Sequence, residues 1–317
     1  MHIVIYGTGG VGGYFGARLA QAGNAVTFIA RGKHLEAIKK NGLKLKSLKG
    51  DYLVFPANAT ANIAVVTDID LILVCVKTWQ LEAAAIEINR VLSEKTMVIS
   101  LLNGVNNAEV LSSIIDKKHI LGGLCKVVSK IEDFGIINHL SFEPTIVIGE
   151  LDNVKTERAL LLEKGLLNAG ITTKLAENIQ LEIWSKFLFI TTISGIGALT
   201  RATIGEMIAS PSIKELMQKT AEEIVAVAKA KGVHLSDKLV EKQFKMIESQ
   251  PYNTTSSLQR DMMEGKPSEL DAQNGAVVKM GIEVGIPTPI NAFIYHCLLP
   301  QEKKSRVRSQ KSFRFVL

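Results

Sequence analysis

The residues with the clearest chemical potential open the chain. Gly7-Thr8-Gly9-Gly10-Val11-Gly12 has the spacing Gly-x-Gly-x-x-Gly. In that spacing Gly7 permits a tight turn, Gly9 lets backbone amides approach a pyrophosphate, and Gly12 lets a helix pack closely on a strand. All six residues of the run are candidate cofactor-binding residues. An NAD site is expected to place a ribose-reading acid about twenty residues further on. Here that place holds Arg31-Gly32-Lys33, with no carboxylate until Glu36. A carboxylate there would repel a 2′-phosphate, whereas a guanidinium pairs with one bidentately. The run therefore favours NADPH over NADH, unless Arg31 is simply a solvated loop cation.

The flanking elements suit this reading. His2-Ile3-Val4-Ile5-Tyr6 reads as a buried strand, and Val11, Phe15 and Leu19 begin a helical pattern directly after the glycines. A helix N-terminus at that point offers partial positive charge to phosphates. Ala25–Ala30, Asp70–Val76, Thr96–Ser100 and His119–Val128 read as further strands, with a short one at Tyr52–Phe55. Two strand-like runs follow, near Ile136 and from Thr145 to Ile148. Leu160–Leu167 reads as a helix, and Ile171–Leu175 closes the sheet. This alternation predicts an α/β fold with a Rossmann-type, doubly wound, mainly parallel sheet over residues 1–177. Ligands of such sheets sit beyond the carboxyl ends of the strands. Lys77 and Asn103 fall at two such ends, and each either faces the cofactor or is an ordinary loop residue.

After Glu177 the strand pattern stops. Ile179–Leu199, Pro211–Lys231, Asp237–Glu248 and Glu269–Val284 read as helices, giving an all-helical domain over residues 178–300. The first of these is apolar nearly all round, with Trp184, Phe187, Leu188 and Phe189, and should be buried. Lys186 stands out within it. A lysine in such company either snorkels to the surface or is retained for chemistry.

Composition narrows the function classes. The 317 residues are 47% hydrophobic, enough for two cores. The formal charge is +6, and it is matched by the six cations that follow the last acid, Glu302, in a basic tail over 301–317: Lys303, Lys304, Arg306, Arg308, Lys311 and Arg314. The body is thus near neutral, which argues against a nucleic-acid-binding surface, and the tail is expected to be solvated and mobile. Cys75, Cys125 and Cys297 are odd in number and far apart, so neither a disulfide framework nor a metal-binding motif is expected. The longest uncharged apolar run, Phe187–Thr200, is too short to cross a bilayer. A reduced, cytoplasmic, non-membrane protein is the expectation, with apolar helical faces of a kind that support homodimers.

Taken together, these motifs resemble the ketopantoate reductase family (2-dehydropantoate 2-reductases). The resemblance rests on Gly7–Gly12, Arg31, Lys77-Thr78-Trp79-Gln80, Leu102-Asn103-Gly104 and Trp184-Ser185-Lys186. It continues through Ser256-Ser257-Leu258-Gln259-Arg260-Asp261, Glu269-Leu270-Asp271 and Asn274-Gly275. The family implies reduction by NADPH of a ketone beside a carboxylate, giving a 2-hydroxy acid on the route to pantothenate. Carried over, Lys186 would be the catalytic general acid. Asn103 would lie between cofactor and substrate, Ser257 would hold the substrate carboxylate, and Glu269 would orient the reacting groups and contact the cofactor. Arg31 and Lys77 would serve the NADPH phosphates or ribose, and Gln259 and Asp261 would be structural.

The chain departs from the family at positions four and eight residues after the lysine, and once further on. Asparagine is frequent there; this chain has Ile190, Ser194 and Ile204. Ser194 keeps a hydroxyl for the substrate, and Arg201 could offer a compensating contact. Three readings follow: a ketopantoate reductase, an NADPH-dependent reductase of another 2-oxo acid, or a non-catalytic NADPH sensor on the same fold.

Overall fold

The computed structural model describes residues 1–314. The chain divides into two compact units: Met1–Leu102 with Asn106–Glu182, and residues from Ile183 onward with Asn103–Val105.

The first unit is built on one ten-stranded sheet. Its strands are β1 (His2–Tyr6), β2 (Ala25–Ile29), β3 (Leu43–Ser47), β4 (Tyr52–Val54), β5 (Asn58–Thr60), β6 (Leu71–Val74), β7 (Met97–Ser100), β8 (Ile120–Asp133), β9 (Ile136–Glu150) and β10 (Thr172–Leu175). They lie in the order β4-β3-β9-β8-β7-β6-β1-β2-β5, with β10 beside β9. From β5 to β8 every pairing is parallel. Strand order reverses at β1, so the crevice between β1 and β6 is where such sheets take a ligand. The helices are α1 (Gly10–Gln21), α2 (Gly32–Asn41), α3 (Leu81–Asn89), α4 (Asn107–Ser112) and α5 (Glu157–Asn168).

Side-chain alternation along the strands decides the layering. Ile3, Ile5, Leu71, Leu73 and Ile99 pack with Phe15 and Leu19 of α1, Ile38 of α2 and Leu162 of α5. Val4, Tyr6, Ile72, Val74 and Val98 pack on the other face with Leu81, Ala84 and Ile88 of α3 and Leu111 of α4. Helices thus cover both faces, and the expected doubly wound, mainly parallel sheet is what the chain forms.

Two strand expectations need correction. The runs near Ile136 and Thr145 belong to one strand, β9, which pairs antiparallel with β8 through irregular register shifts. The sheet also gains β3 and β5. In β3 the lysines of Leu43-Lys44-Leu45-Lys46 alternate with buried leucines, so the strand carries its polarity on one face.

The second unit is helical: α6 (Ile179–Thr200, its first four residues in the first unit), α7 (Ile204–Ala209), α8 (Pro211–Ala230), α9 (Asp237–Glu248), α10 (Ser257–Met263), α11 (Asn274–Val284) and α12 (Pro289–Arg314). Its core joins Ile193 and Ile196 of α6 to Ile204, Met217, Leu258, Met262, Ile294 and Leu298. Helix α6 has the length and apolarity of a membrane span, and 72% of its most apolar window is buried inside the protein, as in a core helix. Helix α11 begins at Asn274 and not at Glu269, because the preceding turn is held by a distant residue described below. The basic tail is also different from expectation. Helix α12 continues through residues 301–314, with Glu302 and Ser305 buried while Lys303 and Lys304 face solvent. Between Gln301 and Arg308 buried and exposed positions share the helix, which a run of cations conceals. The last three residues of the expected tail lie outside the described residues.

Candidate active site

In the first unit the glycine loop joins the end of β1 to α1. Gly7 has φ +106°, and a Cβ there would stand 2.9 Å from the Cys75 backbone. Gly12 is equally constrained: its Cβ would run into the Gly7 carbonyl and sit 2.7 Å from the Ile5 Cγ2 methyl. Gly10 abuts the Ser129 backbone of β8, a packing role that the motif's spacing does not convey. Gly9 differs from all three. It caps α1 at φ −83°, and a Cβ there would meet nothing within 4 Å. The loop is therefore close-packed beneath and open at Gly9, where first-turn amides of α1 face outward with no acid in that turn. This arrangement fits a dinucleotide pyrophosphate. Val11 is half-buried in the same turn.

Thr8 takes a structural part, since its buried hydroxyl donates to the Ile29 carbonyl of β2 at 2.9 Å. His34, which sequence reasoning missed, holds the loop from the other side. Gly135 N–H donates to His34 Nδ1 at 3.0 Å, so Nε2 carries the proton and donates to the Thr8 carbonyl at 2.9 Å. Burial keeps the imidazole below its ordinary pKa and so neutral. No local signal announces this role, because the two partners lie at residues 8 and 135.

Arg31 caps α2 at the end of β2, and Lys77 follows β6 at the start of a 3₁₀ turn, Thr78–Gln80. Register pairs Tyr6 with Ile29 and with Val74. Gly7, Arg31 and Lys77 thus share one edge of the sheet. The Arg31 side chain is 63% exposed, with Nη2 3.6 Å from Glu87 Oε1. Lys77 Nζ stands 5.9 Å from the Trp79 ring centroid.

The second unit carries the other candidates. Lys186 is half-buried on α6 between the buried Trp184 and Phe187. Ser194 lies on the same helix two turns on, about 12 Å along the axis, and is fully buried. Glu269 is buried, and its Oε2 accepts from Asn103 Nδ2 at 2.9 Å. The structure thereby brings together two residues 166 positions apart that the family resemblance had assigned to one site. Ser257 is the exposed first residue of α10. Ser256, not Ser257, caps that helix by accepting from Gln259 N–H at 3.1 Å. Gln259 is structural, since its Nε2 donates to the Ala202 carbonyl at 2.8 Å. Ile204 is a core residue, Ile190 is half-buried, and Arg201 is exposed and ends α6 at φ +59°.

The turn bearing Glu269 is held from α12. The buried Glu302 carboxylate accepts from Ser268 N–H at 3.0 Å and from Ser268 Oγ at 2.7 Å. Arg306 pairs with Glu302 at 2.7 Å and with Asp271 at 2.6 Å. Tyr295 donates to Asp271 at 2.8 Å, and burial together with that bond pushes its pKa up to about 12. Residues assigned to the tail by their charge are therefore what fixes this turn.

A Rossmann-type sheet with an open glycine loop fits a dinucleotide, and the helical unit that follows carries a half-buried lysine and a paired acid. Known proteins share this plan. The family pattern "Ketopantoate reductase PanE/ApbA" matches residues 3–153, and "Ketopantoate reductase PanE/ApbA C terminal" matches residues 178–302. The oxidoreductase YkpB of Bacillus subtilis is 30% identical over 295 residues, 93% of this chain and 97% of that one. A 2-dehydropantoate 2-reductase of Archaeoglobus fulgidus is 30% identical, covering 91% of this chain and 94% of its own. The crystal structure of a PanE/ApbA family ketopantoate reductase from Ralstonia eutropha superposes with a TM-score of 0.88 at 30% identity, covering 96% of this chain and all of that one. The chain belongs to the ketopantoate reductase family of oxidoreductases.

Proposed function

We propose that the protein reduces 2-dehydropantoate (ketopantoate) to pantoate with NADPH, a step of pantothenate biosynthesis in the cytoplasm. The observation that carries this reading is the Asn103–Glu269 hydrogen bond, within the unit that holds Lys186. It supports a polar, preorganised site in a chain whose family acts on this substrate. When bound, NADPH supplies a hydride to the ketone carbon. Lys186, as an ammonium, gives a proton to the carbonyl oxygen and offsets the negative charge developing there. Glu269 accepts from the Asn103 amide and so fixes which way that amide faces. The Ser257 hydroxyl holds the substrate carboxylate and Ser194 contributes a second hydroxyl. The Gly7–Gly12 loop cradles the pyrophosphate, which the backbone amides at its open Gly9 end face, while Arg31 and Lys77 serve the 2′-phosphate and ribose.

A second reading, reduction of a different 2-oxo acid, is favoured by the half-buried Ile190 one turn from Lys186. An apolar residue there withholds a hydrogen bond that would otherwise reward a matching substrate hydroxyl. The test of the shared chemistry is Lys186→Ala. Loss of the proton donor should lower turnover by about 10²–10⁴-fold while leaving NADPH affinity within roughly twofold, since the interaction lost belongs to the transition state. Turnover surviving that change would remove Lys186 as the acid.

A further inference from the structure

Glu87 of α3 stands where no motif places an acid. Its carboxylate is engaged from two sides. Tyr6, the buried last residue of β1, donates its hydroxyl to Oε2, and Arg31 Nη2 faces Oε1 at 3.6 Å. Burial, and then the bond to Glu87, hold the Tyr6 phenol well above its ordinary pKa. It therefore remains a donor at every working pH and keeps the carboxylate from turning away. The acid that sequence spacing failed to find at the end of β2 is thus supplied by a different element, α3 (Leu81–Asn89), which follows β6.

We infer that Glu87, anchored by Tyr6, competes with the adenosine 2′-phosphate for the Arg31 guanidinium, and so weakens the preference for NADPH over NADH. The inference rests on the reading that Arg31 receives that phosphate. A phosphate arriving at Arg31 must displace Glu87 or share the guanidinium with it, and it meets a fixed negative charge in doing so. NADH brings no phosphate and pays neither penalty. The pair is half-exposed, so its hold on Arg31 is modest. The acid acts on specificity through Arg31 and has no part in proton or hydride transfer.

The experiment is equilibrium binding of NADPH and of NADH, followed by nucleotide fluorescence, on the full chain and on Glu87→Gln, Arg31→Ala and the double variant. Glu87→Gln is expected to tighten NADPH roughly two- to fivefold, the size of one half-exposed ion pair, and to leave NADH unchanged. Tyr6→Phe, which frees the carboxylate, should move NADPH in the same direction by less. In the Arg31→Ala background the effect of Glu87→Gln should vanish. NADPH affinity unchanged or weakened in Glu87→Gln would overturn the inference while Arg31→Ala still selectively weakened NADPH. If Arg31→Ala had no selective effect, the phosphate reading itself would fall, and the competition with it.

Discussion

Gly9→Ala separates ligand approach from folding more cleanly than any other change in the glycine loop. The backbone at Gly9, φ −83° and ψ −162°, is accessible to alanine, and a Cβ there meets no protein atom within 4 Å. Two small folding terms oppose one another. Replacing glycine reduces unfolded-state entropy, stabilising by about 0.4–1 kcal/mol. Alanine is the poorer N-cap, costing a few tenths of a kcal/mol or somewhat more. Net stability should change by no more than about 0.5 kcal/mol. Binding is another matter, because a methyl at the open face keeps the pyrophosphate from the helix amides. Losing one charge-assisted hydrogen bond costs about 1.5–3 kcal/mol, so affinity should fall roughly ten- to a hundredfold. Gly12→Ala is the contrasting case. Its methyl runs into the Gly7 carbonyl and Ile5, so α1 must shift, and overpacking costs about 1–3 kcal/mol of stability. Urea unfolding and NADPH titration on both variants supply the two readouts. A Gly9→Ala protein that binds NADPH like the wild type would refute the loop as the pyrophosphate cradle.

Two further predictions concern what holds the site's framework. A chain ended at Pro300 loses Glu302 and leaves the buried Ser268 N–H unpaired. It should unfold about 2–3 kcal/mol more easily in urea, whereas a chain ended at Arg308 should match the full chain; equal stability of all three would show that α12 does not hold the Glu269 turn. In the first unit, Glu150 is buried and yet titrates below the ordinary carboxylate range. Burial pushes its pKa up, but hydrogen bonds from Arg158, at 2.6 and 2.7 Å, and from Thr156 outweigh this. A lowered folded-state pKa adds stability above the unfolded value, about 4.3, and that stability is lost as pH falls through the folded value. Arg158→Ala should therefore cost about 2 kcal/mol near neutrality, the size of hydrogen bonds to a charged group, with the difference from wild type shrinking below about pH 4; a cost independent of pH would mean the ion pair is not its source.

Legibility in the sequence followed locality. The glycine loop, the β1–α1 junction and the apolar α6 are set by residues close together in the chain, and each was readable. Arg31 and Lys77 were readable as strand-end residues, because the parallel register brings the ends of β1, β2 and β6 to one edge. What was not readable depends on distant partners. Glu269 lies in a turn and not on a helix, since Glu302, 34 residues beyond Ser268, captures that turn. Strand β9 was read as two pieces because Pro144 and the polar His139 and Ser141 interrupt its pattern, while β8 pairs along its length. The alternation of buried and exposed residues in α12 was masked by its cations. His34 and Glu87 carry no local mark at all; their roles arise only from Gly135 and Tyr6, brought near by the sheet.

Reduction of ketopantoate by NADPH is tested by steady-state NADPH oxidation with the purified protein, ketopantoate set against a panel of other 2-oxo acids and NADH replacing NADPH in parallel. Ketopantoate is expected to have the highest kcat/KM of the panel, and NADPH to be the better donor. A 2-oxo acid lacking the ketopantoate hydroxyl turning over more efficiently would contradict the substrate assignment and make Ile190 the first residue to examine. Tight NADPH binding with no turnover of any acid would contradict the enzymatic account altogether.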